Sequence, residues 1–170
     1  MDQSETLRTI AEIGIALAGF TGVVAVLGRR SGGDWSPLEA LRLHVLIQTS
    51  LLVVFLSFLP ILLLRAASAE TAWRTANGAC GLALVVTTYV IVTRWRASGY
   101  SWEGASVRVA RLLGAISTVA LFLILLLQFA AALGFSLLDA FLVYALGLLY
   151  LLALGAMNFV FLLLPDKSGQ

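Results

Sequence analysis

The sequence predicts an all-α protein, a bundle of five membrane-spanning helices. Five long apolar segments, separated by short polar stretches, make up most of the 170 residues. Each segment has about the 20 residues that a helix needs to cross the hydrocarbon core of a bilayer. Hydrophobic residues account for 61% of the chain and charged residues for only 12%, whereas soluble domains carry about 25% charged residues.

The five segments leave no room for a separate soluble domain, so residues 1–170 are expected to form a single membrane domain. The predicted helices cover residues 7–28, 38–64, 73–95, 107–133 and 137–164. The first is expected to stay in the mature protein, because its apolar run is longer than that of a signal peptide and Met1–Glu5 is acidic. Pro60 interrupts the second helix, and a neighbouring helix is expected to satisfy the carbonyl that this proline leaves free.

Positive charges are concentrated on one of the two membrane faces. Face one holds the N-terminus and the connections near residues 65–74 and 134–136, and its cations are Arg8, Arg65 and Arg74. Face two holds the other connections and the C-terminus, and its cations are Arg29, Arg30, Arg42, Arg94, Arg96, Arg108, Arg111 and Lys167. The positive-inside rule therefore predicts a protein of a bacterial inner (plasma) membrane with its N-terminus outside and its C-terminus in the cytoplasm.

The first two helices resemble the next two in sequence. Residues 14–35 and 81–102 share the pattern Arg-x-Ser-Gly-x-x-Trp, together with aligned glycines and threonines inside the helices. We therefore predict a tandem repeat of a helical hairpin, residues 7–64 and 73–133, followed by a fifth helix without a counterpart. Because two helices separate equivalent positions, the hairpins would share one orientation, related by an axis along the membrane normal.

Small residues at helical spacing mark faces where membrane helices can approach closely. Lipid is as apolar as leucine, so close backbone contact and polar pairs hold such helices together rather than apolar burial. Helix one carries a small-residue stripe at Gly14, Ala18 and Gly22, and helix five carries another at Gly147 and Gly155. The first stripe predicts that helix one lies either at the centre of the bundle or at a subunit interface, and the structural alternative is ordinary packing within the protomer.

Polar side chains within the spans fall near the two faces. The candidate polar site toward face one consists of Glu12, Asn77 and Gln128, and the candidate site toward face two consists of His44, Gln48, Arg111 and Asn158. Glu12 is the strongest functional candidate, as a site for an ion or proton, because a charge inside a span is costly. His44 is the side chain that would titrate near neutral pH. The structural alternatives are contact of Glu12 with headgroups and a hydrogen bond from His44 to a neighbouring helix.

The residue inventory argues against catalysis and against resident cofactors. The chain has one histidine, one cysteine and a single lysine in its tail. These numbers exclude bis-histidine haem, an internal disulfide and a retinal Schiff base within one chain, and no metal-ligand cluster is visible. We therefore predict no enzyme activity, metal or cofactor. The net charge of +2 does not suggest nucleic-acid binding.

Two functions remain as predictions. The first is a homo-oligomeric channel or small-solute conduit, in which polar lines on helices four and five would face an axis between copies. The alternative is a non-catalytic accessory or scaffold subunit that binds another membrane protein through helix one or helix five. A third hypothesis, an enzyme that acts on a lipid or a quinone, would need a cleft near Glu12 or His44.

Overall fold

The computed structural model describes residues 2–30, 36–97, 107–135 and 138–163. Its five helices are α1 (Gln3–Arg30), α2 (Pro37–Ala66), α3 (Ala69–Ala97), α4 (Val107–Leu133) and α5 (Ala140–Leu163). Each helix contains a stretch of 20 to 28 residues that is long and apolar enough to cross a membrane. The prediction of an all-helical chain with five apolar helices is confirmed, and these helices indicate a multi-pass membrane protein.

Polar residues at the helix starts explain where the helices begin. The capping side chains are Asp2 for α1, Ser36 for α2, Ser68 for α3 and Asp139 for α5. Ser36 and Glu39 form a capping box, in which each side chain accepts a hydrogen bond from the backbone N–H of the other. Asp139 accepts from two backbone N–H groups of the first turn of α5. Helix α5 therefore begins at Ala140, whereas the sequence had predicted a start at residue 137.

The end of α4 is fixed by a glycine in the left-handed conformation. Gly134 has a φ of +87°, which side chains with a Cβ atom rarely adopt. The N–H of Gly134 donates to the carbonyl of Ala131, and the N–H of Phe135 donates to the carbonyl of Ala130. These two bonds form a Schellman motif that satisfies carbonyls at the helix end.

Helix α5 lies at the centre of the bundle. It contacts the four other helices, whereas α1 contacts only α2 and α5, and α4 contacts only α3 and α5, within the described part of the chain. Because α2 and α3 also contact each other, the first four helices form an arc around α5 in chain order. The predicted central position of α1 is therefore wrong, and its alternative, a subunit interface, stays a prediction.

The predicted repeat also stays a prediction. Most of the loop pattern that suggested it, at residues 31–35 and 98–102, lies outside the described residues. Helix α5, which has no counterpart in the predicted repeat, is the helix that both hairpins contact. The interior around α5 is apolar, and Leu46, Val53, Leu84, Leu148 and Leu151 are all at most 3% exposed.

Candidate functional site

The first two turns of α5 accept hydrogen bonds from α3 and α4 and donate one to α2. The Asn77 amide nitrogen on α3 donates to the carbonyl of Ala140 over 3.1 Å. The Gln128 amide nitrogen on α4 donates to the carbonyl of Val143, also over 3.1 Å. Both amide side chains are fully buried. We call this region, completed by Tyr144 of α5, the polar junction.

Tyr144 joins α5 to α2 at the position that Pro60 leaves incomplete. A proline has no backbone N–H, so the carbonyl four residues earlier, that of Leu56, loses its helical partner. The Tyr144 hydroxyl donates to the Leu56 carbonyl over 2.5 Å. The edge-on contact between Tyr144 and Trp73, with ring centroids 5.9 Å apart, holds the phenol from the α3 side. The expected partner for the freed carbonyl is therefore present.

Gly147 makes room for the polar junction. A Cβ atom at this position would lie 2.7 Å from the Cys80 sulfur and closer still to the Gln128 amide nitrogen. The same amide nitrogen lies 3.5 Å from that sulfur. Only a residue without a side chain allows α3, α4 and α5 to meet at this level, which gives the glycine a packing role.

The second half of α5 is held mainly by α2. A Cβ atom at Gly155 would lie 2.9 Å from the Thr49 hydroxyl, so the two helices cross closely at this glycine. Near face two, the Arg42 guanidinium donates to the Phe161 carbonyl over 3.1 Å and lies 5.5 Å from the centre of the Phe161 ring. On the α4 side, the Tyr150 hydroxyl lies 2.9 Å from the Ser117 hydroxyl.

Glu12 lies apart from the other two residues of the candidate site toward face one. Asn77 and Gln128 converge on α5, but Glu12 lies on α1, which contacts neither α3 nor α4 among the described residues. Its carboxylate forms an ion pair with Arg8 over 3.3 Å, and the two side chains are 64% and 79% exposed, respectively. The pair is therefore directed away from the bundle.

The candidate residues toward face two are not joined into one cluster by the contacts they make. His44 and Gln48 lie one turn apart on α2 and are half-buried. The amide nitrogen of Asn158 donates within its own helix, to the carbonyl of Leu154. The side chain of Arg111 lies outside the described residues.

The small-residue stripe of α1 has two different surroundings. Gly14 is buried against α2, where a Cβ atom would lie 3.1 Å from both the Ser50 carbonyl oxygen and a Val54 methyl group. Ala18 is half-buried. At Gly22, and also at Gly19, a Cβ atom would meet nothing within 4 Å.

A second line of α1 is exposed from residue 8 to residue 26. Its residues alternate in steps of four and three, which places them on one face, and they are Arg8, Glu12, Ile15, Gly19, Gly22 and Val26. We call this set the open face of α1. Within the described structure no helix covers it.

The sequence predicted Asn77, Gln128, Gly147 and Gly155 as site or packing residues, but it placed Tyr144 only on the same line of helix five and gave it no role. A signal was available, since Pro60 requires a donor from another helix and Tyr144 supplies one of the few hydroxyls on α5. Among the described residues no group of three histidine, cysteine, aspartate or glutamate side chains lies close enough to hold a metal ion. Comparison with protein-family models, with curated proteins and with solved structures finds no match.

Proposed function

We propose that the protein is a non-catalytic membrane scaffold subunit, and that it assembles with a second copy of itself through the open face of α1. The observation that carries this proposal is the combination, on one uncovered face, of two glycines with free space and a charged pair of opposite signs. Small residues let membrane helices approach closely, and such faces are typical of helix–helix interfaces in bilayers.

The charged end of the open face is complementary to itself. Two copies inserted in the same membrane have the same orientation, so a two-fold axis between them would pair their α1 helices in parallel. In such an interface each residue of one copy meets the symmetry-related set of the other. Arg8 and Glu12 are one turn apart, so Arg8 of one copy can approach Glu12 of the other, and the two contacts occur together.

The depth of Glu12 also favours a protein partner. Glu12 falls within the apolar stretch Gln3–Val26, and an exposed carboxylate inside a span is unfavourable. Pairing with two arginines, one from each copy, would compensate the charge better than the exposed pair with Arg8 alone.

The polar residues of α3, α4 and α5 already make contacts within the protomer, so they are poor candidates to line a conduit. Asn77 and Gln128 donate to carbonyls of α5, and Gly147 and Gly155 allow close helix contacts. These residues hold the protomer together, and a role in the stability of the protomer is sufficient to account for them.

The proposal is tested by filling the open face. Gly19→Leu and Gly22→Leu would place a bulky side chain where the second copy approaches. We expect each to weaken association in lipid at least about tenfold, equivalent to about 1.4 kcal/mol, measured by energy transfer between labelled copies. Gly114→Leu is the matched control, because Gly114 on α4 is also exposed with nothing within 4 Å of its Cβ position. Unchanged association in both α1 variants would refute the proposed interface.

A charge exchange tests the pairing of Arg8 with Glu12. Arg8→Glu alone would place four carboxylates at the contact and should reduce association. The double variant Arg8→Glu with Glu12→Arg restores opposite charges and should recover it. Recovery is informative only if the single variant associates more weakly than the unmodified protein. An Arg8→Glu variant that associates fully would contradict the pairing of Arg8 with Glu12.

A homo-oligomeric conduit, the first of the two functions predicted from the sequence, becomes the second candidate here and is favoured by one observation on α4. Gly114 and Thr118 are exposed in the protomer, one turn apart, and the Thr118 hydroxyl donates to the Gly114 carbonyl over 2.8 Å. This short polar patch is available to an axis between copies. Ion flux through liposomes that falls in Thr118→Leu would favour the conduit, and absence of flux in the unmodified protein would count against it.

We also propose that face two lies in the cytoplasm, with the protein in a bacterial inner membrane. The excess of arginine near face two supports this orientation. Ser68 is exposed in the connection between α2 and α3 at face one. In a Cys80→Ala background, Ser68→Cys should react with an impermeant thiol reagent added outside the cell. Labelling only after the membrane is opened would reverse the orientation.

A further inference from the structure

We infer that the polar junction binds a single water molecule that bridges Asn77 and Gln128. The inference is independent of the proposed assembly. It starts from two oxygen atoms, Oδ1 of Asn77 and Oε1 of Gln128, which are enclosed and have no hydrogen-bond partner among the described residues. Both side chains are fully buried. Buried polar atoms of this kind are commonly completed by an internal water.

The amide orientations follow from the nitrogen contacts. Each amide nitrogen donates to a backbone carbonyl of α5, at Ala140 and at Val143. Turning either amide over would place its oxygen against that carbonyl oxygen, two acceptors in contact. The oxygens are therefore the ends that need a donor, and a thiol, amide or backbone N–H does not supply it within the described junction.

The spacing of the two amides suits one bridging molecule. Ala140 and Val143 are three residues apart, so the carbonyls that anchor the amides are separated by about 4.5 Å along α5. A water that donates both hydrogens, with bonds of about 2.8 Å, spans two acceptors about 4.5 Å apart, and the inferred bridge places the two amide oxygens at such a separation beside their anchors. Helices α3 and α4 are close here, since a Cβ atom at Gly81 would lie 3.4 Å from the Cβ atom of Gln128.

The chemistry of the junction selects a neutral donor over a cation. The groups that the junction presents are amides, a hydroxyl and the Cys80 sulfur, and the ion pairs of Arg8 and Arg74 are both exposed. A cation held by two neutral amide oxygens in an apolar interior would lack a compensating charge. Water needs none, and it offers the two hydrogens that the two acceptors require.

Infrared spectroscopy with a labelled asparagine tests the inference. The chain contains two asparagines, Asn77 and Asn158, so an Asn158→Gln variant grown with asparagine labelled at its side-chain carbonyl carbon reports on Asn77 alone. We expect the Asn77 carbonyl band at the lower frequency of a hydrogen-bonded amide. Gln128→Met, which is close to glutamine in shape, should move the band to higher frequency. Thr49→Val, on α2 beside the second half of α5, is the control and should leave it in place.

Two results would overturn the inference: a band at the frequency of a free amide carbonyl in the unmodified junction, or a band that Gln128→Met does not move. A second measurement covers the case in which Gln128→Met does not fold. In the unmodified protein, magnetisation transfer from water to the side-chain amide protons of both Asn77 and Gln128 is expected in nuclear magnetic resonance spectra. Transfer to neither amide would show a dry junction.

Discussion

The glycines of α5 and two glycines of α1, Gly19 and Gly22, have opposite surroundings, although small residues at helical spacing occur on both helices. At Gly147 and Gly155 an added Cβ atom would collide with side chains of neighbouring helices. At Gly19 and Gly22 it would meet nothing within 4 Å. Small residues at helical spacing can therefore mark either a helix contact within the protomer or a surface that no helix of the protomer covers.

The position of each helix in the arc explains the difference. Helix α5 is surrounded by four helices, so most of its circumference is in contact with protein. Helix α1 is at one end of the arc and has neighbours on one side only. Its glycines therefore divide between the contacted side, with Gly14 against α2, and the open face, with Gly19 and Gly22.

The largest expected effect follows from filling the contact at Gly147. Gly147→Leu would require the Cys80 sulfur, the Gln128 amide and the backbone of α3 to move together. Forcing extra atoms into a packed interior costs about 1–3 kcal/mol, and more where neighbours cannot move. We expect loss of most of the folded protein, measured by unfolding in mixed detergent micelles.

Gly114→Leu and Gly19→Leu are the matched controls for that experiment, because both glycines are helical and exposed. Neither should lower the unfolding free energy of the dispersed protomer by more than about 0.5 kcal/mol. A Gly147→Leu protein as stable as these two would show that the junction is loosely packed, and the contrast between α1 and α5 would disappear.

A smaller effect is expected where Tyr144 completes α2. Tyr144→Phe removes the donor to the Leu56 carbonyl and leaves that acceptor buried without a partner. We expect a loss of about 1–2 kcal/mol of unfolding free energy, within the range for an unsatisfied buried group and for hydrogen bonds between membrane helices.

Pro60→Ala provides a sharp test of this explanation. Alanine restores a backbone N–H that can bond the Leu56 carbonyl within α2. Tyr144→Phe should therefore cost less in the Pro60→Ala background than in the unmodified protein, and a double-mutant cycle measures the difference. Equal losses in both backgrounds would mean that the role of the hydroxyl does not depend on the partner that Pro60 removes from the Leu56 carbonyl.

Hydrophobic pattern and length were sufficient to predict the five helices. The helix ends were less predictable, because a helix can begin in a capped polar turn outside its apolar segment. Helix α3 does so at its N-cap, Ser68. The composition could not show that α5 is central, since all five segments are apolar enough to span a membrane and nothing in a leucine-rich sequence specifies which faces meet. The arrangement depends on particular interhelical bonds, such as Tyr144 to Leu56.

The candidate sites were predictable only as a set of polar residues at given depths. Depth placed Glu12, Asn77 and Gln128 toward the same face, but it carries no information on direction around a helix. Asn77 and Gln128 both turn toward α5, whereas Glu12 turns outward with Arg8. Distinguishing these two directions required the contacts between helices.

Alanine substitutions should stabilise one side of α1 more than the other. At Gly19 an alanine meets open space, and its better helix propensity should stabilise the dispersed protomer by up to about 0.5–1 kcal/mol. At Gly14 the new methyl group would lie 3.1 Å from the Ser50 carbonyl oxygen, so crowding offsets that gain. Unfolding measurements should place Gly19→Ala above Gly14→Ala, and the reverse order would contradict the assigned orientation of α1.

The smallest expected effect concerns the N-terminal cap of α1. The hydroxyl and the backbone N–H of Ser4 both donate to the Asp2 carboxylate. These bonds hold the pKa of Asp2 below its ordinary value of 3.8. Because the pKa is depressed in the folded state, the contribution of the cap to stability is complete above pH 3.8 and is lost as the pH falls through the lowered pKa.

Asp2→Asn keeps a capping side chain but cannot titrate. Amide resonances of the first turn should therefore shift in acid in the unmodified protein and stay fixed in the variant. Equal shifts in both proteins would assign the change to another group.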